Sequence, residues 1–585
     1  MYMSYIVFLD TATVGPNKRA VTPAALVNNA MADYGDPIFQ STLHIQKTAF
    51  QVALTSSHLI WEQASKGGPL DSPSAEPLFC HKTANIVPLR EVIIASCDKG
   101  KQKSSQSTNT GQGAKDKTYL YLELQSPSFI VYVLCKGSKH KWKYKKLTFL
   151  CQDSHLCSEW VRRINETLSS LDFNRPKNLL VFVNPYGGKR QGPSIYQDKV
   201  APLFELAGIK TEVIITQRHN HARDILHEHD LKKIDGVVCV GGDGMFSELL
   251  NGLCERKLKE AGLEQTLEQN PIPPDLKIGI IPAGSTDCIV YTTTGINDPV
   301  TSALHIILGD SIGIDVCSIY SGDKFQRYSV SMLGYGYYGD ILLDSEKNRW
   351  MGPKRYHLAG AKKFLGNKAY PGEVTFRLSS DSDSNPRDKK KCFAGCNTCR
   401  LAGSRTDEKV LNKMNNDSDG VHKLKGKFVA ICSFTMSCVC ALTPAGASPY
   451  CHLGDGTTDL MLVQECSRFK FLKHLMRVAD RTADQFDFDF IRVYRVKEFS
   501  FRPFPEHEEE SLEDAATGGS KHSKLPSSRM KTSVWNCDGE VIEHPSIQVR
   551  VHCQLVRLFG RGIEEVESTA LCTSCCSIGE QPETP

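Results

Sequence analysis

Val237-Val238-Cys239-Val240-Gly241-Gly242-Asp243-Gly244, followed by the apolar-periodic stretch Met245–Cys254, reads as a buried strand running into a glycine turn and then a helix. Where a parallel strand meets a helix start, backbone N–H groups are placed to hold phosphate. An aspartate in that turn would repel phosphate unless it handles a metal or a proton. Gly-Gly-Asp-Gly therefore points to phosphoryl transfer more strongly than a glycine-rich turn alone. Asp243 within hydrogen-bond reach of a hydroxyl nucleophile would be a general base. The alternative is an N-cap for helix Met245–Cys254. Glu248, one turn on, faces the same mouth.

Outward from this stretch, Leu179–Val183, Glu212–Thr216 and Leu276–Ile281 read as three further strands. Helices are expected around Tyr196–Leu206, His221–His229 and near Ser285. Short apolar strands alternating with helices predict an α/β lobe with a doubly wound parallel sheet. Asn184-Pro185-Tyr186-Gly187-Gly188-Lys189 leaves the first strand, and Pro282-Ala283-Gly284-Ser285-Thr286-Asp287 closes the fourth. The first does not fit the P-loop pattern, because no Gly-Lys-Ser/Thr follows. Each turn alone is ordinary. Three on the carboxyl edge of one sheet, where open α/β sheets bind ligands, are much harder to explain as coincidence.

After about Gly313 helices become scarce, and Val316–Tyr320, Tyr328–Met332, Val374–Leu378, Phe428–Ser433, Leu460–Val463, Tyr494–Phe501 and Gln548–Leu555 predict a second, β-rich lobe. Upstream, residues 86–171 predict a small β domain with strands at 92–95, 119–124, 129–134 and 142–150. It is closed by helix Ser154–Leu171, where Trp160, Ile164 and Leu168 share a face. The expected division is a poorly defined segment 1–80, a β domain 81–172, an α/β domain 174–324, a β-rich lobe 325–565 with an unstructured insert 504–531, and a tail 566–585.

At 585 residues the chain is too long for one core. Lys+Arg of 70 against Asp+Glu of 66 is nearly balanced, so no global field favours nucleic acid. Met1–Asp10 lacks a basic n-region, and many of the 22 Cys sit in apolar strands, which favours a reducing, cytosolic compartment. Phe428–Leu442 is too short to span a membrane. Lys136, Lys139, Lys141, Lys143, Lys145 and Lys146, interleaved with Trp142 and Tyr144, suit anionic lipid; a solvated charged strand is the alternative. Phe469–Val478 is a basic amphipathic helix of the type calmodulin or membranes accept, or simply a helix buried on one side. Cys392-x₃-Cys396-x₂-Cys399 offers three thiols for zinc but no clear fourth ligand; redox sensing or local packing are the alternatives. Cys572, Cys575 and Cys576 are candidates for acylation.

His452-Leu453-Gly454-Asp455-Gly456 with Asp459, and Trp535-Asn536-Cys537-Asp538-Gly539-Glu540, are each weak in isolation. Together with the three turns they resemble the lipid kinases of the diacylglycerol and sphingosine kinase superfamily. Leu333–Trp350 and the Cys392/Cys396/Cys399 triplet narrow the resemblance to the ceramide kinase family, over about residues 85–565.

The resemblance implies a pleckstrin-homology-like N-terminal module and a catalytic region that phosphorylates the primary hydroxyl of ceramide with ATP and Mg²⁺. It implies ATP near Asn184, Pro185, Tyr186, Thr216, Asn220, Glu248, Gly284, Ser285 and Thr286. Arg349, Arg355 and Asp538, Gly539 and Glu540 would return from the second lobe toward the nucleotide. Gly241, Gly242 and Gly244 would line the lipid-hydroxyl side with Asp243 as base. Asp455 would be a second base or a metal-linked carboxylate. Sphingosine kinases carry an acidic residue near the position of Leu342. Its absence suits an amide rather than an ammonium, and Asp340 is left to bind a polar head-group atom. Asp287 stands where diacylglycerol-type kinases place Asn. Membrane recruitment through anionic lipid (a phosphoinositide) would place the enzyme in the cytoplasm, peripherally on Golgi or plasma membrane. The rival readings are a sphingosine or diacylglycerol kinase, an NAD-kinase-like soluble enzyme, and a non-catalytic lipid-binding scaffold.

Overall fold

Seven antiparallel strands open the described part of the chain: β1 (Phe39–Ile45), β2 (Thr48–Leu54), β3 (His58–Gln63), β4 (Asn85–Pro88), β5 (Val92–Cys97), β6 (Ser128–Lys136) and β7 (Trp142–Leu150). They form one sheet in the order β4-β3-β2-β1-β7-β6-β5. This computed structural model describes residues 34–64, 84–98, 127–171, 173–352, 354–379, 385–404, 420–504 and 532–565. The strand expected at 119–124, the insert 505–531 and the tail cysteines lie outside them. The expectation that 1–80 stands apart from the β domain is corrected, because β1–β3 supply three of the seven strands. Their alternation is broken by polar residues such as Gln40, Ser41 and Gln51, which hid them.

Helix α1 (Ser154–Ser170) closes this sheet. Asp153 caps it, accepting from Leu156 N at 2.7 Å. Cys157, Trp160, Ile164 and Leu168 are its buried face. Ile164 and Leu168 each contribute roughly 1.5–3 kcal/mol by leaving water. Trp160 lies edge-on to Phe39 at 4.8 Å and stacks on Phe129 at 6.0 Å.

The described residues divide into two compact units, and the tip of the β6–β7 hairpin, 134–145, belongs to the larger one with the residues from 173 onward. That unit continues with β8 (Asn178–Val183), α2 (Gly192–Ile195), α3 (Ala201–Leu206), β9 (Lys210–Ile215), α4 (His221–Glu228), β10 (Gly236–Gly241), α5 (Asp243–Glu260), β11 (Lys277–Pro282), α6 (Cys288–Thr294) and α7 (Pro299–Leu308). Then come β12 (Ser311–Ser321), β13 (Lys324–Ser329), β14 (Met332–Gly336), α8 (Tyr337–Glu346), α9 (Lys354–Gly366), β15 (Tyr370–Leu378), α10 (Asn397–Ser404), β16 (Val421–Phe434), β17 (Thr458–Gln464), α11 (Arg468–Val478), β18 (Ile491–Pro503), β19 (Trp535–Cys537), β20 (Glu540–Ile542) and β21 (Ile547–Phe559).

β9, β8, β10 and β11 pair in that order and all parallel. The chain steps from β8 outward to β9 and then back across to β10, so the order reverses between β8 and β10. Such a reversal splays the loops leaving the two strands apart and opens a crevice at their carboxyl ends. β8, β10 and β11 are nearly continuous apolar runs, as strands covered on both faces require, whereas the edge strand β9 is half polar and largely exposed.

The two lobes share one 14-stranded sheet. Its splice is β21, which lies parallel to β11 and antiparallel to β12 and β18. The strand expected at Tyr328–Met332 is two strands, β13 and β14, interrupted at Val330–Ser331. Phe428–Leu442 is the end of β16 and a loop, and among the described residues no helix is long and apolar enough to cross a membrane. Helices α8 and α9 stand where few helices were expected. Ala359 is the one buried residue of α9, while Leu358 and Leu365 are exposed, so its apolar residues do not follow an inward face.

Candidate active site

The three carboxyl-edge turns meet. Gly188 has φ +54°, and a Cβ there would lie 2.5 Å from the Ala283 carbonyl oxygen. A Cβ on Gly284 would strike the Gly242 Cα. Only glycine backbone allows this approach, and it brings the turns after β8, β10 and β11 into one rim at the strand-order reversal. Asn184 Oδ1 accepts from Tyr186 N at 2.8 Å and Gly187 N at 3.1 Å, folding the first turn back on itself. Ser285 and Thr286 are exposed at the third.

Asp243 is the first residue of α5 and does not cap it; Gly242 holds the N-cap position. Its carboxylate instead reaches the start of α6, where Oδ2 accepts from Cys288 N and Oδ1 from Ile289 N, both at 3.0 Å. Burial pushes its pKa up from 3.8 to about 6, against the lowering effect of those two amides. Two amides at a helix N-terminus fix the orientation of the carboxylate, and each oxygen keeps a second lone pair. Asp287, in the left-handed region at φ +50°, accepts from Gly284 N of its own turn at 2.9 Å and from Asn297 Nδ2, beyond α6, at 2.9 Å.

A fourth loop, after β9, joins the same rim. Thr216 is buried and its N–H pairs with the Val183 carbonyl at 2.9 Å. Asn220, at φ +59°, starts α4. Glu248 on α5 accepts from Ala222 N at 3.3 Å, and burial raises its pKa. Glu540 arrives from the far end of the sequence and binds Arg327 at 2.5 Å and His219 at 2.8 Å. Burial would raise the Glu540 carboxyl, but Arg327 and His219 outweigh it and hold it below its ordinary value. Arg327 also donates to Ser247 Oγ at 3.0 Å, while its Nε is buried without a partner. Neither Arg327 nor His219 stands in a recognisable motif; only the fold pairs them with Glu540.

Asp538, at φ +50°, accepts from Val330 N at 2.9 Å, Ser331 N at 3.1 Å, Ser331 Oγ at 2.6 Å and Met332 N at 3.0 Å. It holds the break between β13 and β14, and Gly539, at φ +90°, turns the chain back toward Glu540.

Other sequence candidates lie among different partners. Asp455 accepts from Thr457 N at 3.0 Å and Thr457 Oγ1 at 2.6 Å. Asp315 lies close enough that burial and the Asp455 charge together push its carboxyl well above the usual range. Asp340 accepts from the hydroxyls of Tyr370 and Ser533, both at 2.6 Å. It also lines a cavity of about 180 Å³ with Tyr337, Lys362, Asn367 and Val429. Arg355 faces Glu346 at 3.6 Å and the Tyr356 hydroxyl at 2.7 Å, with its Nε buried and unpartnered. Arg349 lies in a short 3₁₀ turn, Arg349–Met351.

The lysine-aromatic run is split. Trp142 is 3% exposed and stacks on His305 at 3.6 Å, and Lys136 binds Glu564 at 2.9 Å. Lys139, Lys143, Lys146 and Tyr144 remain exposed. On α11, Phe471 and His474 are buried, whereas Phe469, Leu472 and Met476 are exposed beside Lys470, Lys473 and Arg477.

Residues 39–164 match a model of the ceramide kinase PH domain, 178–319 the diacylglycerol kinase catalytic domain, and 329–576 the ceramide kinase C-terminal domain. The chain is 43% identical to a ceramide kinase of Homo sapiens over 90% of this chain and 97% of that one. It is 42% identical to one of Mus musculus, over 90% and 98%. It is 33% identical to ceramide kinase 1 of Caenorhabditis elegans, over 74% and 75%.

Proposed function

The chain belongs to the ceramide kinase family, and from that premise we propose how its carboxyl-edge rim transfers the γ-phosphoryl group of ATP to the primary hydroxyl of ceramide. The observation that carries this reading is the convergence of Gly188, Gly242 and Gly284 beside a desolvated, oriented Asp243. Phosphoryl transfer asks the protein for alignment and charge neutralisation rather than covalent chemistry. In the proposed roles, the turns of Asn184, Pro185 and Tyr186 and of Gly284, Ser285 and Thr286 bind the phosphates. Thr216, Asn220 and Glu248 hold the nucleoside end. Asp243 takes the ceramide hydroxyl proton, Gly241, Gly242 and Gly244 line the side of that hydroxyl, and Gly244 alone leaves open space where a Cβ would stand. A pKa near 6 keeps Asp243 ionised at neutral pH while leaving it basic enough to share a proton.

Asp538 serves by holding the loop that delivers Gly539 and Glu540. Mg²⁺ would travel with the triphosphate, with phosphate and water oxygens as its main ligands and the spare lone pairs of Asp243 and Asp287 at the same rim. Bound there, it would neutralise charge on the transferring group. Asp455 and Arg355 are assigned positioning roles, because Asp455 is bonded to Thr457 in its own loop and Arg355 is held between Glu346 of α8 and Tyr356.

Asp340 is read as a head-group contact. Each of its oxygens accepts one hydroxyl and keeps a lone pair for a head-group N–H or O–H. A cavity of about 180 Å³ admits a polar head group but not two acyl-length chains. The chains would stay in the bilayer, into which the exposed apolar side chains Trp350, Leu358, Leu365, Phe469 and Met476 would dip. Anionic lipid would meet Lys139, Lys143 and Lys146, giving a peripheral membrane enzyme on the cytoplasmic side of Golgi or plasma membrane. The α11 stripe also has the form of a calmodulin target, which a Ca²⁺-dependent shift in its mobility with calmodulin would report.

Purified protein with radiolabelled ATP, offered ceramide, sphingosine and diacylglycerol in mixed micelles, tests the assignment. Label should enter ceramide; preferential labelling of either rival lipid would overturn it.

A further inference from the structure

The three cysteines that lack a fourth partner in the sequence have one in the fold. Cys392, Cys396 and Cys399 approach His452, which lies 53 residues beyond Cys399 and is 2% exposed. Their ligand atoms all lie within 4.8 Å of one another. Cys396 Sγ is 3.3 Å from His452 Nδ1, and Cys392 Sγ is 3.6 Å from Cys399 Sγ. A tetrahedral zinc, ~2.3 Å from sulfur and ~2.0 Å from nitrogen, spaces its ligand atoms by about 3.5–3.8 Å. No other group of this kind occurs among the described residues.

We propose that Cys392, Cys396, Cys399 and His452 form a closed Cys₃His zinc site that staples the 385–404 segment to the His452–Asp455 loop. Three thiolates and one imidazole select zinc over the oxygen-seeking Mg²⁺. Four protein ligands leave no open position, so the role is structural.

A second observation points the same way. α10 has no buried residue and is only eight residues long. A helix this short is not stable in water by itself, and apolar packing does not hold this one. What anchors it otherwise is polar: Gln554 Nε2 donates to the Cys399 carbonyl at 2.7 Å and the Gly454 carbonyl at 2.9 Å, and Ala394 N to the Ile563 carbonyl at 2.8 Å. A metal bound by Cys396 and Cys399 at the start of α10 supplies the missing hold, because metal binding and folding of such a segment are one equilibrium.

The test is elemental analysis of full-length protein purified reduced and without chelator. One zinc per chain is expected. Cys396→Ser and His452→Ala should each lower it at least tenfold, and His452→Cys, which rebuilds a Cys₄ set, should restore it. Should the single variants fail to fold, cobalt carries the test in the wild-type chain: exchange should give thiolate-to-cobalt charge-transfer bands and tetrahedral ligand-field absorption. Wild-type protein that holds no zinc and develops no such spectrum would overturn the site. So would zinc content untouched by Cys396→Ser and His452→Ala, or a Cys392–Cys399 disulfide in the freshly isolated protein.

Discussion

Gly242-Asp243-Gly244 and Gly454-Asp455-Gly456 are the same tripeptide in two surroundings. The first ends a parallel strand beside a strand-order reversal, and its aspartate spans to the N-terminus of another helix at an open rim. The second precedes an antiparallel strand. Its aspartate bonds Thr457 two residues on, beside Asp315, whose oxygens accept from Gly456 N at 2.6 Å and Gln554 N at 2.7 Å. Burial raises both carboxyls. What differs is what each can reach: a ligand at the rim in one case, the backbone of its own loop in the other. A Gly-Asp-Gly motif therefore marks a tight turn with an acceptor, and under the proposed roles the strand preceding it decides whether that acceptor meets a substrate.

If the second region is architectural, the largest stability losses should lie there. Arg495 and Asp459 form an ion pair at 2.8 Å with side chains 3% and 0% exposed. Asp459→Asn should destabilise by about 3–5 kcal/mol, because it leaves a buried guanidinium with only Asp388, 3.9 Å away, as a paired carboxylate among the described residues. Chemical denaturation measures this, and a loss below 1 kcal/mol would show the loop to be less rigid than its partners imply.

The next effect is in pH. Asp243 is pushed from 3.8 to about 6 in the folded chain. Turnover should fall about tenfold per pH unit as pH drops below about 6, because the base becomes protonated. Its contribution to stability has the opposite sign: the folded state binds the proton more tightly than the unfolded one, so stability should rise as pH falls from about 6 toward 4. A pH–rate profile flat from pH 7 to 5 would break the contrast between the regions.

Asp455→Asn should be a smaller change. The amide oxygen still accepts from Thr457, and a like charge beside Asp315 is removed, so denaturation should report a shift within about 1 kcal/mol of zero, on the stabilising side. The smallest effect is at the surface. Phe469→Ser with Met476→Ser should change stability by no more than about 0.5 kcal/mol, yet reduce sedimentation with anionic vesicles. Unchanged sedimentation would remove α11 from the membrane face.

Much of the first region was legible because its elements are local. Strand, glycine turn and helix follow one another at 237–254, so a single window contains the whole unit. The meeting of Gly188 with Ala283 was readable only as a shared edge, and the swap of capping partners, Asp243 onto α6 rather than α5, was not readable at all, since it depends on how two helices sit side by side. The second region is assembled from 315, 392–399, 452–459, 495 and 554. No periodicity joins those numbers; only sheet register does. Asp538 looked like a nucleotide contact because its neighbours Gly539 and Glu540 complete a motif, while its own oxygens are filled by Val330, Ser331 and Met332. β1–β3 were missed for a different reason: they are interior strands whose half-buried positions mix polar and apolar residues and blur the two-residue period.

The most direct test sets Asp243→Asn beside Asp455→Asn and measures kcat for ceramide phosphorylation at neutral pH, with thermal melts to confirm folding. The geometry predicts a loss of about 10²–10⁴-fold for Asp243→Asn and less than tenfold for Asp455→Asn, both folded. A folded Asp243→Asn enzyme with near-normal kcat, or an Asp455→Asn enzyme that is the more impaired of the two, would contradict it.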